Sequence, residues 1–246
     1  MENYTKMKFT EYLTESKENK NVHLEHLEDE VLNRGVAGAR DAINFLRSLR
    51  DMLAGHTDTK VNLTTKWDGA PAIFAGTNPE NGKFFVGTKG VFNVNAKLNY
   101  TDEDIDRNHT SEGLNKKLKY ALRYLSKLDI KGVLQGDMMF TKGDLTPKVI
   151  DGVSYITFQP NTIVYVVPVD SDLGKQIKKA KIGVVWHTTY TGGDLQSMKA
   201  SFGVNISGLK NVSSVWMDDA TFKDVSGSAT MTQSETDAIT AQLSIA

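Results

Sequence analysis

Apolar positions recur with two different periods along this chain, and the changes of period mark its elements. From residue 22 to residue 54 the spacing is helical and predicts helices at 22–33 and 37–54, broken near Gly35. In the second, Ala42, Phe45, Leu46, Leu49 and Leu53 share one stripe. Glu25 and Asp41 then fall on solvated faces. Residues 60–93 carry short apolar runs that predict two or three strands. A helix follows at 111–128, with Leu114, Leu118, Ala121, Leu122 and Leu125 on one side. Lys116, Lys117, Lys119, Arg123 and Lys127 stand on the other, a solvated lysine face or one that meets a phosphate backbone. Strands are expected at 132–140, 153–158, 162–169 and 181–190, with a short helix at 171–179. Beyond residue 192 the chain is rich in Gly, Ser and Asp, with weak strand signals from Val212 to Met217. A last helix is predicted at 232–244, with Thr232 as its cap and Glu235 three residues on. There is no internal repeat.

This order of elements predicts an α+β protein, a mostly antiparallel sheet core with packed helices. The expected division is a polar amino-terminal peptide at 1–20, a helical segment at 21–58 packed on the core, and a sheet domain at 59–246. With 246 residues and 39% apolar content, the chain has enough material for a sizeable core. No window has the length and apolarity of a membrane span. A net charge of −1 gives no global attraction for nucleic acid, so any such contact would need a local basic patch. Zero cysteines exclude disulfides and thiolate zinc sites and fit a reducing cytoplasm.

Candidate chemistry concentrates at Lys66-Trp67-Asp68-Gly69, inside an apolar segment read as strand, tight turn, strand. A lysine becomes a nucleophile once it loses its proton, which partial burial or neighbouring cations promote. On an extended strand Asp68 would point to the same face as Lys66. Gly69 would let the backbone turn close to a ligand. Lys-x-Asp-Gly in this setting resembles the nucleotide-attachment motif of polynucleotide ligases and mRNA-capping enzymes. The resemblance implies that Lys66 attacks the α-phosphate of ATP and carries AMP as a phosphoramidate.

Further segments follow in the order of that superfamily, and the resemblance covers roughly residues 60 to 190. Phe84-Phe85-Val86-Gly87-Thr88-Lys89-Gly90 is similar to the strand-turn that sets a basic residue, here Lys89, against the nucleotide. Gly132-Val133-Leu134-Gln135-Gly136-Asp137 resembles the apolar strand ending in Gly-Glu or Gly-Asp, which implies that Asp137 binds ribose or helps to hold Mg²⁺. Lys181 to Tyr190 is similar to the strand whose aromatic residue stacks on the base, so Trp186 or His187 would line the site, with Trp186 as the nucleotide-binding candidate. Asp68 and Gly69 complete the nucleotide-binding set. The implied fold is the ligase-type nucleotidyltransferase domain, and the implied acceptor is a nucleic-acid 5′-phosphate end. Two departures stand out: Ala70-Pro71-Ala72 replaces the arginine that usually follows the motif, and no Glu-Gly strand or Lys-x-Lys strand appears after residue 190. The domain is then incomplete at its carboxy terminus, or keeps the fold without full catalysis.

The amino terminus carries a separate pattern. Met7-Lys8-Phe9-Thr10-Glu11-Tyr12-Leu13-Thr14-Glu15-Ser16 resembles the capsid-targeting peptide of internal head proteins of large tailed phages, with Leu13-Thr14-Glu15 as the processing site. His23 to Asp29 is similar to proteins encoded by such phages. The implied location is host cytoplasm or the interior of the phage head. The rival to a ligase-type enzyme is therefore a non-catalytic internal head protein with a ligase-like fold. A third reading, a structural phage protein with an accidental motif, predicts that Lys66, Lys89 and Asp137 do not converge. Asp102 to Arg107 opens like a calcium loop but lacks its sixth-position glycine and its closing glutamate, and His23 with His26 is not a zinc motif.

Overall fold

The computed structural model describes residues 27–56, 65–221 and 231–246. The amino-terminal peptide, the start of the helix expected at 22–33 and the first residues of the strand region at 60–93 lie outside these. The described residues fall into two compact units, 27–56 with 231–246 and 65–221.

In the first unit, helix α1 (Leu27–Leu53) leaves helical geometry at Gly35, where φ is 57° and ψ −131°. A side chain disfavours that conformation, so the break falls at the glycine. Arg34 holds both sides of the kink, with its Nη1 3.0 Å from Glu30 and 2.8 Å from Asp41. Asp41, expected as a solvated residue, is thus ion-paired. The carboxy-terminal helix, Gln233–Ile245, starts with a reciprocal cap. The Glu235 N–H donates to Thr232 Oγ1 at 3.3 Å and the Thr232 N–H donates to Glu235 Oε2 at 2.8 Å. Arg50 Nη1 donates to Thr240 Oγ1 at 3.1 Å, and Met231 N to the Leu53 carbonyl at 2.7 Å. The last helix therefore groups with α1, not with the sheet domain expected to run to residue 246.

The second unit is built on a six-stranded mixed sheet. Its strands are β1 (Ala72–Thr77), β2 (Phe84–Gly87), β3 (Val133–Thr141), β7 (Ile182–Thr191), β8 (Lys199–Phe202) and β9 (Val215–Asp219), in the order β2-β1-β3-β7-β8. β9 also joins β7, as the one parallel pair among antiparallel ones. Side chains alternate across each strand. Ile73, Ala75, Leu134, Met138, Val184 and Trp186 point to one face. Helix α3 (Glu112–Leu125) covers it with Leu118, Ala121 and Leu125, three members of its predicted stripe. Leu118 and Leu125 are fully buried, and each contributes roughly 1.5–3 kcal/mol by leaving water. Before α3 lies α2 (Asp102–Asn108), where the calcium-like segment is a helix capped by Thr101.

A three-stranded antiparallel sheet of β4 (Thr146–Ile150), β5 (Val153–Phe158) and β6 (Tyr165–Pro168) is followed by helix α4 (Asp172–Lys179). Ile156, Phe158 and Val167 pack with Met139, Phe140, Val185 and Trp216, forming a second core on the sheet face opposite α3. β4 and β8 were not expected from the sequence. β4 is exposed throughout and so lacks an apolar alternation to find. Its turn to β5 was legible, since Asp151 (φ 49°) and Gly152 (φ 79°) form the Asp-Gly pair that tight hairpins favour. Among the described residues no helix is long and apolar enough to cross a membrane.

Candidate functional site

Residues 65–71 are irregular, and strand β1 begins at Ala72. The expected strand-turn-strand at Lys66-Trp67-Asp68-Gly69 is therefore a loop that enters the sheet. Pro71 has no N–H to give a ladder. The loop is tied down instead by Thr65 N to the Ala220 carbonyl (2.7 Å), Ala70 N to the Met138 carbonyl (2.9 Å) and Met138 N to the Pro71 carbonyl (3.0 Å). Lys117, from the basic face of α3, donates to the Ala70 carbonyl at 2.8 Å. Elsewhere on that face Lys119 pairs with Asp106 at 2.6 Å and Lys127 sits 5.0 Å above the Tyr124 ring.

Gly69 is a glycine because of its neighbour. Its φ is not in the left-handed region, but a Cβ would lie 2.5 Å from Asp137 Cβ and 3.1 Å from the Asp137 carbonyl carbon. The expected role, conformational freedom beside a ligand, is replaced by close approach to β3. Gly69→Ala should push the loop off β3 and displace Lys66, and a misplacement of about 1 Å costs on the order of 100-fold in a positioned reaction. The same substitution should shorten the lifetime of the loop hydrogen bonds, read by amide exchange at Ala70 and Met138. Unchanged exchange there would sink this account.

Asp137 shares its sheet face with Gln135 and Met139, opposite α3. Its side chain is 21% exposed. Burial pushes its carboxyl up to about 6; the nearby Lys66 ammonium opposes the rise and the Asp68 carboxylate adds to it. The charges of Lys66 and Asp68 thus both act on the Asp137 carboxyl. Gly136 beside it is required by packing, since a Cβ there would sit 2.5 Å from the Val185 carbonyl oxygen and 2.8 Å from the Trp186 ring.

Asp68, a candidate for nucleotide binding, is engaged by the chain itself. It accepts from Asn161 Nδ2 (2.8 Å), Thr162 N (2.6 Å) and Ile163 N (2.8 Å), while its own N–H donates to the Tyr165 hydroxyl at 3.0 Å. The Ile163 N–H leads in holding its carboxyl down at about 2, with Asn161 next. Trp67 stacks on Tyr165 at 5.6 Å and Tyr165 on Phe158 at 5.3 Å. Asp68 is thereby a staple between the lysine loop and the loop joining β5 to β6. Asp68→Ala should release residues 159–164, seen as faster amide exchange at Thr162 and Ile163, with the central sheet unaffected.

Trp186, the expected base-stacking residue, is fully buried against α3 and offers no surface to a ligand. The cause is a bulge: the β3–β7 register passes from Gln135↔Thr188 to Gly136↔Trp186, so His187 is an extra residue on β7. His187 meets Asp137 instead, with Nε2 3.9 Å from Oδ2 and Nδ1 2.8 Å from Thr188 Oγ1. Burial pushes its imidazole down, so this is a neutral ring beside a carboxyl and not an ion pair. Lys89 is exposed at the start of a 3₁₀ turn, Lys89–Phe92. The turn reaches the Asp137 face through Phe92, whose ring lies 4.7 Å from Tyr190 and 5.3 Å from Phe74. The turn thus shares a face with Asp137, while Lys89 itself has no bond to Lys66, Asp68 or Asp137.

Sequence reasoning missed Asp218. Its β9 position pairs with Val185, which pairs with Asp137, so both carboxylates lie in one register row on one face. Their strands are about 10 Å apart, two strand spacings. The signal was present as the apolar run Val215-Trp216-Met217 ending in Asp218-Asp219. Among the described residues no group of three or more His, Cys, Asp or Glu side chains is placed to hold a metal. Mg²⁺ takes as few as one or two carboxylates and completes its shell with water and substrate phosphates, so a group of three is not required for it. A cavity of about 690 Å³ lies elsewhere, between α2 and α3, and is lined by none of these residues.

Fold and site together define an α+β protein with two sheets and a half-buried carboxyl, Asp137, on the central one beside the Lys66 loop. The profile of the family of unknown function DUF6267 matches residues 21–246, and the chain belongs to that family. No curated protein and no solved structure matches it.

Proposed function

We propose that the protein is an ATP-dependent nucleotidyltransferase of the RNA or DNA ligase type, with Lys66 as its nucleophile. The observation that carries this reading is the close approach of the Lys66 loop to Asp137 at Gly69, which leaves the Lys66 charge near enough to act on the Asp137 carboxyl. A central sheet with a second sheet on the face of the lysine supports the ligase-type fold. In the first step the Lys66 amine attacks the α-phosphorus of ATP. A P–N bond forms, the P–O bond to the β-phosphate breaks, and pyrophosphate leaves. The lysine proton passes to solvent. In the second step an oxygen of a nucleic-acid 5′-phosphate attacks the same phosphorus, a P–O bond forms, the P–N bond breaks, and Lys66 leaves as an amine that takes a proton from solvent. Asp137 would hold Mg²⁺ together with the substrate phosphates, and the ion would neutralise charge on the leaving pyrophosphate. Lys89 would face the phosphates from the turn after β2, and Asp68 would act by holding the loop.

The second reading is a non-catalytic head protein of a tailed phage, favoured by the missing Glu-Gly and Lys-x-Lys strands after residue 190. Incubation with α-labelled ATP and Mg²⁺, followed by denaturing electrophoresis, separates the two. Label that stays on the denatured chain supports the transferase. No label with ATP or GTP, in Mg²⁺ or Mn²⁺, favours the head protein.

A further inference from the structure

Gln135 stands two residues before Asp137 on the same sheet face, about 7 Å along β3. Its cross-strand neighbours are Phe74 on β1 and Thr188 on β7. Its Oε1 accepts the hydroxyl of Tyr190 at 2.7 Å. Tyr190 is fully buried and lies between Phe74 (5.7 Å) and Phe92 (4.7 Å), so its hydroxyl is held by packing. An amide whose oxygen is taken presents its nitrogen. Nε2 has no partner among the described residues and is not sealed from solvent. The half-buried Phe92 ring packs on Tyr190, the residue whose hydroxyl this amide accepts. The result is an oriented donor next to a Tyr190–Phe92 ring pair, one same-face step along β3 from the carboxyl on which the Lys66 charge acts.

We infer that Gln135 reads the nucleotide base: its Nε2 donates to an acceptor on the base edge, Phe92 packs against the ring, and Tyr190 is the positioning residue that sets the amide. This rests on the nucleotidyltransferase reading of Lys66 and Asp137. A phosphate at Lys66 and a ribose near Asp137 bring the base to Gln135. A donor fixed in this way favours bases that present an acceptor at that point and leaves itself unpaired against those that present a donor. Tyr190 touches no ligand, so its effect on base choice passes through the Gln135 amide.

The test uses the full chain and the α,β-methylene analogues of ATP, GTP, CTP and UTP, which cannot release pyrophosphate, with Kd measured by calorimetry. The wild type should favour one nucleotide by about tenfold, the worth of one hydrogen bond to a buried-edge group. Gln135→Leu should bring the four within about twofold. Tyr190→Phe, which keeps the ring and frees the amide to turn, should move the ratios the same way by less. It serves as the second variant should Gln135→Leu fail to fold. A wild-type preference that survives in both variants overturns the role of Gln135 while leaving Lys66 labelling intact. Equal binding of all four by the wild type does the same. Binding of none overturns this inference together with the nucleotide reading on which it rests.

Discussion

Lys66→Ala is expected to remove all label from the denatured protein while leaving the fold in place. Lys66 is exposed, and surface substitutions usually change stability by no more than about 0.5 kcal/mol. Chain-borne label, in contrast, depends on a P–N bond that alanine cannot form. Lys66→Arg should fail as completely, because a guanidinium keeps its proton and its charge. The arginine variant separates nucleophilic attack from charge, since it preserves attraction for the triphosphate. Matching thermal melts beside an unlabelled band in both variants are the expected result. Label persisting on Lys66→Ala would assign the adduct to another residue and sink the mechanism.

Asp137→Asn should stabilise the protein above pH 6 while abolishing labelling. The carboxyl titrates near 3.9 in an unfolded chain and at about 6 in the folded one, where burial leads the shift. A raised acid pKa means that the folded state binds its proton more tightly. Stability is thus fully present below about pH 4 and is lost as pH rises through 6. The loss by pH 8 is on the order of 2–3 kcal/mol, from two pKa units at roughly 1.4 kcal/mol each. Asparagine removes the charge and keeps the shape. Urea unfolding should show the variant more stable by about that amount at pH 8, with the gap closing at pH 4. Equal stability at both values would mean that Asp137 is not held against its own ionisation. A gain in stability with a loss of labelling is the pattern of a group kept for function at the expense of the fold.

The sites differ in how much of them could be read in advance. Helix α3 and strands β3, β5 and β7 follow from periodicity, because burial on one face imposes the same spacing wherever they pack. The Thr232 cap and the Gly35 break are equally local, since each depends on residues within one turn. Lys66 and Asp137 stand out through the resemblance of their segments to ligase motifs, and the fold packs Gly69 of the first against Asp137 of the second. Asp68 is a nucleotide-binding candidate by its place in Lys-x-Asp-Gly, but its hydrogen bonds from residues 161–163, more than 90 positions away, are announced by no local pattern. Trp186 and His187 exchanged places because a one-residue bulge reverses which side chain faces the carboxylate.

The sequence by itself determined the main helices and the central strands, the α+β class and the residue types able to carry the chemistry. Only the tertiary structure decided that the last helix joins α1, that β9 runs parallel to β7, and that Gly69 is a contact residue. It also set Asp218 in the Asp137 row and aimed the Gln135 amide through Tyr190. The reason is the range of the forces. Backbone propensity, capping and apolar periodicity act over a few residues and are written in neighbouring letters. Strand register, close approach and burial of a charge depend on groups brought together by packing, and one residue of register reverses a face.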